Sequence, residues 1–77
     1  MAKKQMIYLK ETLYYHCVSL NEFSRITGLA SNHISRLING KHRPRLATIK
    51  LVAMGLSRID LQDWQIHANR IKEEINK

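Results

Sequence analysis

Apolar residues recur every three or four positions through most of this chain, and this periodicity limits the fold more than any other feature of the sequence. Such spacing is typical of helices that bury one face. Aromatic residues make up only 6% of the chain, and one proline and three glycines are too few for the many short strands and tight turns of a β-sandwich or barrel. A chain of 77 residues is long enough to bury only one hydrophobic core. We therefore predict one all-α domain over residues 1–77.

Five helices are predicted, over residues 5–18, 20–27, 31–39, 46–56 and 60–76. The second helix has the clearest start, since Ser19 stands three residues before Glu22 in the capping-box pattern. Gly28 and Gly40 are expected to end the second and third helices, because glycine accepts the left-handed conformation that closes a helix. Two short helices joined by a glycine-containing turn describe a helix-turn-helix unit, here at about 19–40.

Three further signals shape the remaining helices. In the first helix, Cys17 continues the apolar stripe and is expected to be a small buried side chain. The segment 41–45 is predicted to be a basic loop, because the residue before Pro44 is pushed out of the α region. Asp60 is expected to cap the fifth helix, with Leu61 on the side of that helix that faces the core.

Positive charge is concentrated in the middle of the chain. The formal net charge is +7, and residues 24–50 contain six basic residues and no Asp or Glu. They are Arg25, Arg36, Lys41, Arg43, Arg45 and Lys50. A compact basic helical domain attracts a polyanion, and nucleic acid is its commonest partner. The alternative is a solvated basic surface with no partner.

The same central segment resembles a known family. Residues 19–45 read SLNEFSRITGLASNHISRLINGKHRPR and are followed by Thr48 and Ile49. The resemblance rests on the combined spacing of Gly28, Ile34, Ser35, Asn39, Gly40 and Pro44. From Ser19 to about Leu56 the chain resembles the Xre/Cro family of lambda-repressor-like helix-turn-helix DNA-binding domains. The fold that this implies is a five-helix lambda-repressor-like domain.

The resemblance implies a role for particular side chains. In this family the third helix enters the major groove, and its base-facing positions fall on Ser31, Asn32 and Arg36. Asn pairs well with adenine and Arg with guanine, which agrees with that assignment. His33 is a further candidate for a base edge or a phosphate. Phosphate contacts are expected from Lys41 and Arg43 by the family pattern, with Arg45 beside them, and from the start of the second helix at Ser19 and Asn21.

Three residues depart from the family pattern. Leu20 stands where a glutamine often holds a phosphate. Ala30 replaces the usual Ser or Thr that caps the recognition helix, a change that costs about 1 kcal/mol. Ile38 replaces a polar or acidic residue before Asn39 and Gly40, which removes a negative charge near the DNA; the alternative is that Ile38 serves a protein contact.

The fifth helix suggests an assembly. Its apolar residues continue through Ala68, Ile71 and Ile75, beyond what a four-helix core is expected to cover. We predict that these three residues form a homodimer interface, which would present two recognition helices to a palindromic operator, about 34 Å apart. The alternative is a helix that folds back and buries all three residues within its own chain.

The leading functional hypothesis is a sequence-specific transcriptional regulator of the phage, plasmid or mobile-element repressor type. One alternative is an antitoxin of the Xre type that represses its own operon and binds a toxin. Another is a helix-turn-helix domain used only for protein interaction. An enzyme is disfavoured, because His16 and Cys17 point about 100° apart on a helix and no other nucleophile has a base and an acid beside it.

The composition also bears on cofactors and location. The histidines and the cysteine fall at no zinc-site spacing, so neither a metal nor another cofactor is expected. No apolar run is long enough for a transmembrane helix. Cys17 has no disulfide partner and no leader precedes the first helix, so we expect a cytoplasmic protein.

Overall fold

The computed structural model of this protein describes residues 6–41 and 43–75, and within them the chain is all-helical. The helices are α1 (Ile7–Tyr15), α2 (Leu20–Thr27), α3 (Ser31–Ile38), α4 (Leu46–Asp60) and α5 (Trp64–Ile75). The prediction of an all-α fold with five helices is confirmed for these residues. Gln5 and Asn76, the outer limits predicted for the first and last helices, lie outside the described residues. None of the helices in the two described ranges is long and apolar enough to span a bilayer.

The ends of α2 follow from local sequence chemistry. The Ser19 hydroxyl oxygen accepts a hydrogen bond from the Glu22 backbone N–H at 3.1 Å, which satisfies one of the free donors of the first turn. At the other end Gly28 has φ +81°, and its N–H donates to the Ser24 carbonyl at 2.8 Å. Both signals were read correctly from the sequence, and the predicted limits of this helix are confirmed.

Helix α1 is shorter than predicted because the chain turns at Cys17. This residue has φ +57°, and the N–H of Val18 donates to the Leu13 carbonyl at 2.9 Å while the N–H of Cys17 donates to that of Tyr14 at 3.1 Å. These two bonds form a Schellman motif, which ends a helix. The expectation that Cys17 is a buried helical residue is therefore wrong: it is exposed.

Helix α4 is longer than predicted and runs through Gly55 to Asp60. Asp60 is thus the last residue of α4 and not the cap of α5. Leu61 follows with φ +61° and is 89% exposed, so the expectation that it joins the core is also wrong. The first turn of α5 is instead capped by Asp63, whose carboxylate accepts a hydrogen bond from the Gln65 N–H at 3.1 Å.

The core is built from all five helices, with α5 packed along α4 and against α1. Its buried apolar residues are Met6, Leu9, Leu13, Phe23, Ile34, Leu37, Ile49, Val52, Ala53, Leu56, Ala68 and Ile71. Ala68 is 3% exposed and Ile71 is fully buried, whereas Ile75 is partly buried at the edge of the core. The premise that the stripe on α5 extends beyond its own domain is therefore wrong for Ala68 and Ile71, because α5 folds back over α4 and α1.

Gly55 allows α4 to approach α2 closely. A Cβ atom at this position would lie 2.6 Å from Thr27 Cγ2 and 3.0 Å from Phe23 Cε1, well inside van der Waals contact. Any other residue here would force the two helices apart or displace Thr27. The fourth helix was expected to end near Gly55, but this residue lies inside α4, at the contact with α2.

A buried polar network joins α5 to the rest of the fold. The His67 side chain is fully buried; its Nδ1 lies 2.6 Å from the Tyr8 hydroxyl, and its Nε2 lies 3.6 Å from Asp60 Oδ2. The Glu74 carboxylate accepts hydrogen bonds from the Tyr8 backbone N–H, with both oxygens at 3.1 Å. Burial raises the pKa of the Tyr8 phenol above its ordinary value, and the Asp60 carboxylate adds to this rise. The network fixes α1 against α5.

Candidate nucleic-acid interface

Helices α2 and α3 pack against each other, and side-chain hydrogen bonds hold the turn between them. The Ser24 hydroxyl donates to the Leu29 carbonyl at 2.5 Å. The Thr27 hydroxyl donates to the Phe23 carbonyl at 2.9 Å and accepts from the Leu29 N–H at 3.2 Å. The Leu29 N–H and carbonyl lie in the turn, outside both helices, and two of these bonds satisfy them. These hydrogen bonds tie the Leu29 backbone to the last turn of α2.

Helix α3 has a buried side and an exposed side. Ile34 and Leu37 are fully buried, as the helical spacing predicts. Asn32 and Arg36 are exposed, and because they are four residues apart their side chains are neighbours on the helix surface. An amide and a guanidinium side by side can read adjacent base edges in a major groove.

The other two predicted base-reading residues are less accessible. Ser31 and His33 are both partly buried, at the start of the same helix. Ala30, at the N-cap position, provides no side-chain hydrogen bond to the first turn. Ala30 therefore does not contribute the capping that a Ser or Thr side chain supplies at this position.

The end of α3 fixes the start of the basic segment. Gly40 has φ +73°; its N–H donates to the Leu37 carbonyl at 3.2 Å, and the N–H of Lys41 donates to the Arg36 carbonyl at 3.0 Å. This second Schellman motif places Lys41 directly beyond the last turn that carries Arg36. Arg43 and Arg45 follow and are exposed, with Arg45 at the N-cap of α4.

The central basic residues are all available to a ligand. The six side chains of the acid-free stretch are exposed, namely Arg25, Arg36, Lys41, Arg43, Arg45 and Lys50. In the described part of the chain none of them lies within ion-pair distance of a carboxylate. Their field is therefore not neutralised within the protein, which favours the approach of a polyanion.

At the start of α2 the two predicted phosphate contacts are both exposed, but they differ in what they can offer. The Ser19 hydroxyl is engaged with Glu22, 3.1 Å from its N–H and 3.4 Å from Oε1. The Asn21 side chain lies in the first turn and makes no such contact in the described residues. Asn21 is the better placed of the two to bind a phosphate.

Two of the departures from the family pattern have a packing role. Leu20 and Ile38 are partly buried and pack against the core. The Ile38 carbonyl also accepts a hydrogen bond from the Met6 N–H at 3.2 Å, which ties the residue before α1 to the end of α3. The expectation that Ile38 serves a protein contact is therefore not needed, because its apolar side chain is accounted for within the chain.

Sequence reasoning missed one feature beside the basic loop. The Lys50 ammonium group in α4 lies 5.5 Å from the centre of the Trp64 ring in α5, a cation–π geometry. The two residues are 14 positions apart, and only the packing of α4 against α5 brings them together. Among the described residues no three His, Cys, Asp or Glu side chains lie close enough to hold a metal ion.

Comparison with protein-family models, with curated proteins and with solved structures found no match to this chain.

Proposed function

We propose that this protein is a sequence-specific DNA-binding transcriptional regulator that inserts α3 into the major groove. The observation that carries the proposal is the exposed pair Asn32 and Arg36, next to basic residues that have no carboxylate partner among the described residues. The pair supplies base-reading chemistry, and Lys41 and Arg43 supply the phosphate contacts that position a helix on the duplex. The resemblance of residues 19–56 to Xre/Cro domains supports the same proposal.

The test begins with selection of binding sites from a random duplex library, using the full chain. An enriched sequence is the expected result, since base-reading side chains discriminate between sites. Replacing Asn32 or Arg36 by Ala should then cost about 1–3 kcal/mol on the selected site and little on random duplex. Fluorescence anisotropy with both duplexes measures the two losses.

The phosphate contacts predict a different pattern. Lys41→Ala or Arg43→Ala should weaken binding to selected and random duplexes alike, and lower the slope of log K against log salt by about one unit. Arg58→Ala is the matched control, because Arg58 is exposed at the other end of α4, roughly 20 Å along the helix from Arg45. No enriched site, or an Arg58→Ala effect as large as that of Arg36→Ala, would contradict the proposal.

The proposal includes a homodimer on a palindromic operator, but with an interface other than the one expected from the sequence. Ala68 and Ile71 are buried within the chain, so a dimer has to use exposed residues. Sedimentation of the chain with a palindromic and a half-site duplex measures the stoichiometry. We expect two chains on the palindrome and one on the half-site; one chain on both would show that the protein acts as a monomer.

A further inference from the structure

Helices α4 and α5 enclose a groove that continues from the basic loop. Its larger part has a volume of about 390 Å³ and lies beside Arg43, Pro44 and Arg45. A smaller part of about 190 Å³ reaches Lys50 and Trp64, and the two parts share Leu46, Ile49 and Lys72. Across both parts, the apolar residues of the lining are Pro44, Leu46, Ile49, Trp64, Ala68 and Ile75.

The floor of the groove is apolar and in part exposed. Ile49 and Ala68 form its base and are nearly buried, whereas Leu46 is 72% exposed at the first turn of α4. Trp64 presents a partly buried ring at the far end. The free energy falls when another apolar side chain covers a leucine that is exposed to water beside a tryptophan.

The described residues of the rim carry positive charge. They are the exposed Arg43, Arg45, Lys50 and Lys72, and no Asp or Glu among the described residues lines the groove. Lys50 is held over the Trp64 ring, so its charge lies at the edge of the apolar floor. An occupant therefore needs apolar side chains for the floor and carboxylates for the rim.

We propose that this groove binds an acidic amphipathic helix of a partner protein. Such a helix presents apolar residues at i, i+4 and i+7 to a groove and carries its charges beside them. Along α5 the floor extends from Trp64 to Ile75, roughly 16 Å, which matches three turns of a bound helix. A duplex presents phosphates, which suit the basic rim but leave the apolar floor uncovered.

The test uses three synthetic peptides of 14 residues. The first carries leucines at i, i+4, i+7 and i+11 with glutamates between them; the second has lysines in place of the glutamates, and the third has serines in place of the leucines. Trp64 is the only tryptophan of the chain, so its fluorescence reports binding at the groove directly. We expect a saturable change with the first peptide, and binding at least about 10-fold weaker with each of the others.

Two variants place the binding in the groove. Lys72→Glu reverses a rim charge and Leu46→Ser removes exposed floor; both residues are exposed, so circular dichroism should show an unchanged fold. Each should weaken the acidic peptide about 10-fold, whereas Arg58→Glu, with the same charge change outside the groove, should not.

Three results would overturn the proposal. They are absence of binding by the acidic peptide up to 1 mM, equal binding by the lysine or serine peptide, and equal affinity of the Lys72→Glu and Arg58→Glu variants. A fourth distinguishes the groove from the DNA interface: if Leu46→Ser weakened duplex binding as much as peptide binding, the groove would belong to the nucleic-acid surface. Retained peptide binding by Arg36→Ala, which should lose the selected duplex, would show that peptide binding does not depend on base reading by α3.

Discussion

Replacing Gly55 by Ala tests the energetic consequence of the close approach of α4 to α2. In an exposed helix this substitution stabilises by about 0.5–1 kcal/mol, because alanine loses less backbone entropy. Here the added Cβ would lie 2.6 Å from Thr27 Cγ2 and 3.0 Å from Phe23 Cε1. Overpacking of a core contact costs about 1–3 kcal/mol, so we expect a net destabilisation of about 1–2 kcal/mol.

The clash also bears on the candidate DNA-binding unit. Thr27 holds the α2–α3 turn through its hydroxyl, which bonds the Phe23 carbonyl and the Leu29 N–H. Displacement of Thr27 by a Gly55→Ala side chain should loosen this turn as well as the core. Urea unfolding followed by circular dichroism measures the free energy, and a loss of about 1.5 kcal/mol corresponds to a fall in Tm of roughly 6–12 °C for a domain of this size.

The matched control is Thr27→Ser, which keeps the hydroxyl and removes Cγ2. In this background Gly55→Ala should cost about 1 kcal/mol less than in the natural chain, and the difference is the coupling energy of the two sites. Stabilisation by Gly55→Ala alone would refute the reasoning, since helix propensity would then outweigh the contact. An undiminished penalty in the Thr27→Ser background would show that Cγ2 is not the obstacle.

Three further changes follow from the packing. Ile71→Glu should unfold the chain rather than yield a folded monomer, because it buries an unpaired charge where Ile71 is fully enclosed. Loss of the helical circular dichroism signal at 25 °C checks this prediction, and a folded variant would contradict it. Tyr8→Phe leaves His67 Nδ1 buried without its partner and should cost about 1–3 kcal/mol in urea unfolding. The folded state raises the pKa of the Tyr8 phenol, so the neutral phenol stabilises the fold fully below about pH 10, and this stabilisation is lost as the pH rises through the pKa of the folded state. The free energy of unfolding should therefore fall less steeply from pH 9 to 11 in Tyr8→Phe than in the natural chain. Ser19→Ala should cost about 1 kcal/mol through loss of the bond to the Glu22 N–H, and an unchanged unfolding midpoint would deny the cap its role.

Local signals determined the ends of α2 and α3 from the sequence alone. Ser19 caps α2, and Gly28 and Gly40 adopt the left-handed conformations that end α2 and α3. Each of these effects depends on residues within one helical turn, so no knowledge of the rest of the fold is needed. The same is true of the exposed pair Asn32 and Arg36, since helical spacing sets both opposite to the buried Ile34 and Leu37.

Other features of the fold depend on which helix faces pack against each other, and the sequence alone does not determine this. Gly55 resembles a helix stop, yet it lies inside α4 because α2 packs against it. Cys17 and Leu61 adopt left-handed conformations without being glycine, and only the path of the chain into the next helix requires this. Ala68 and Ile71 read as an uncovered stripe because their spacing says nothing about the direction of α5. The packing of α5 over α4 and α1 buries them, and the same packing forms the groove between Leu46 and Trp64. Helix periodicity defines which residues share a face, but not which helix packs against that face.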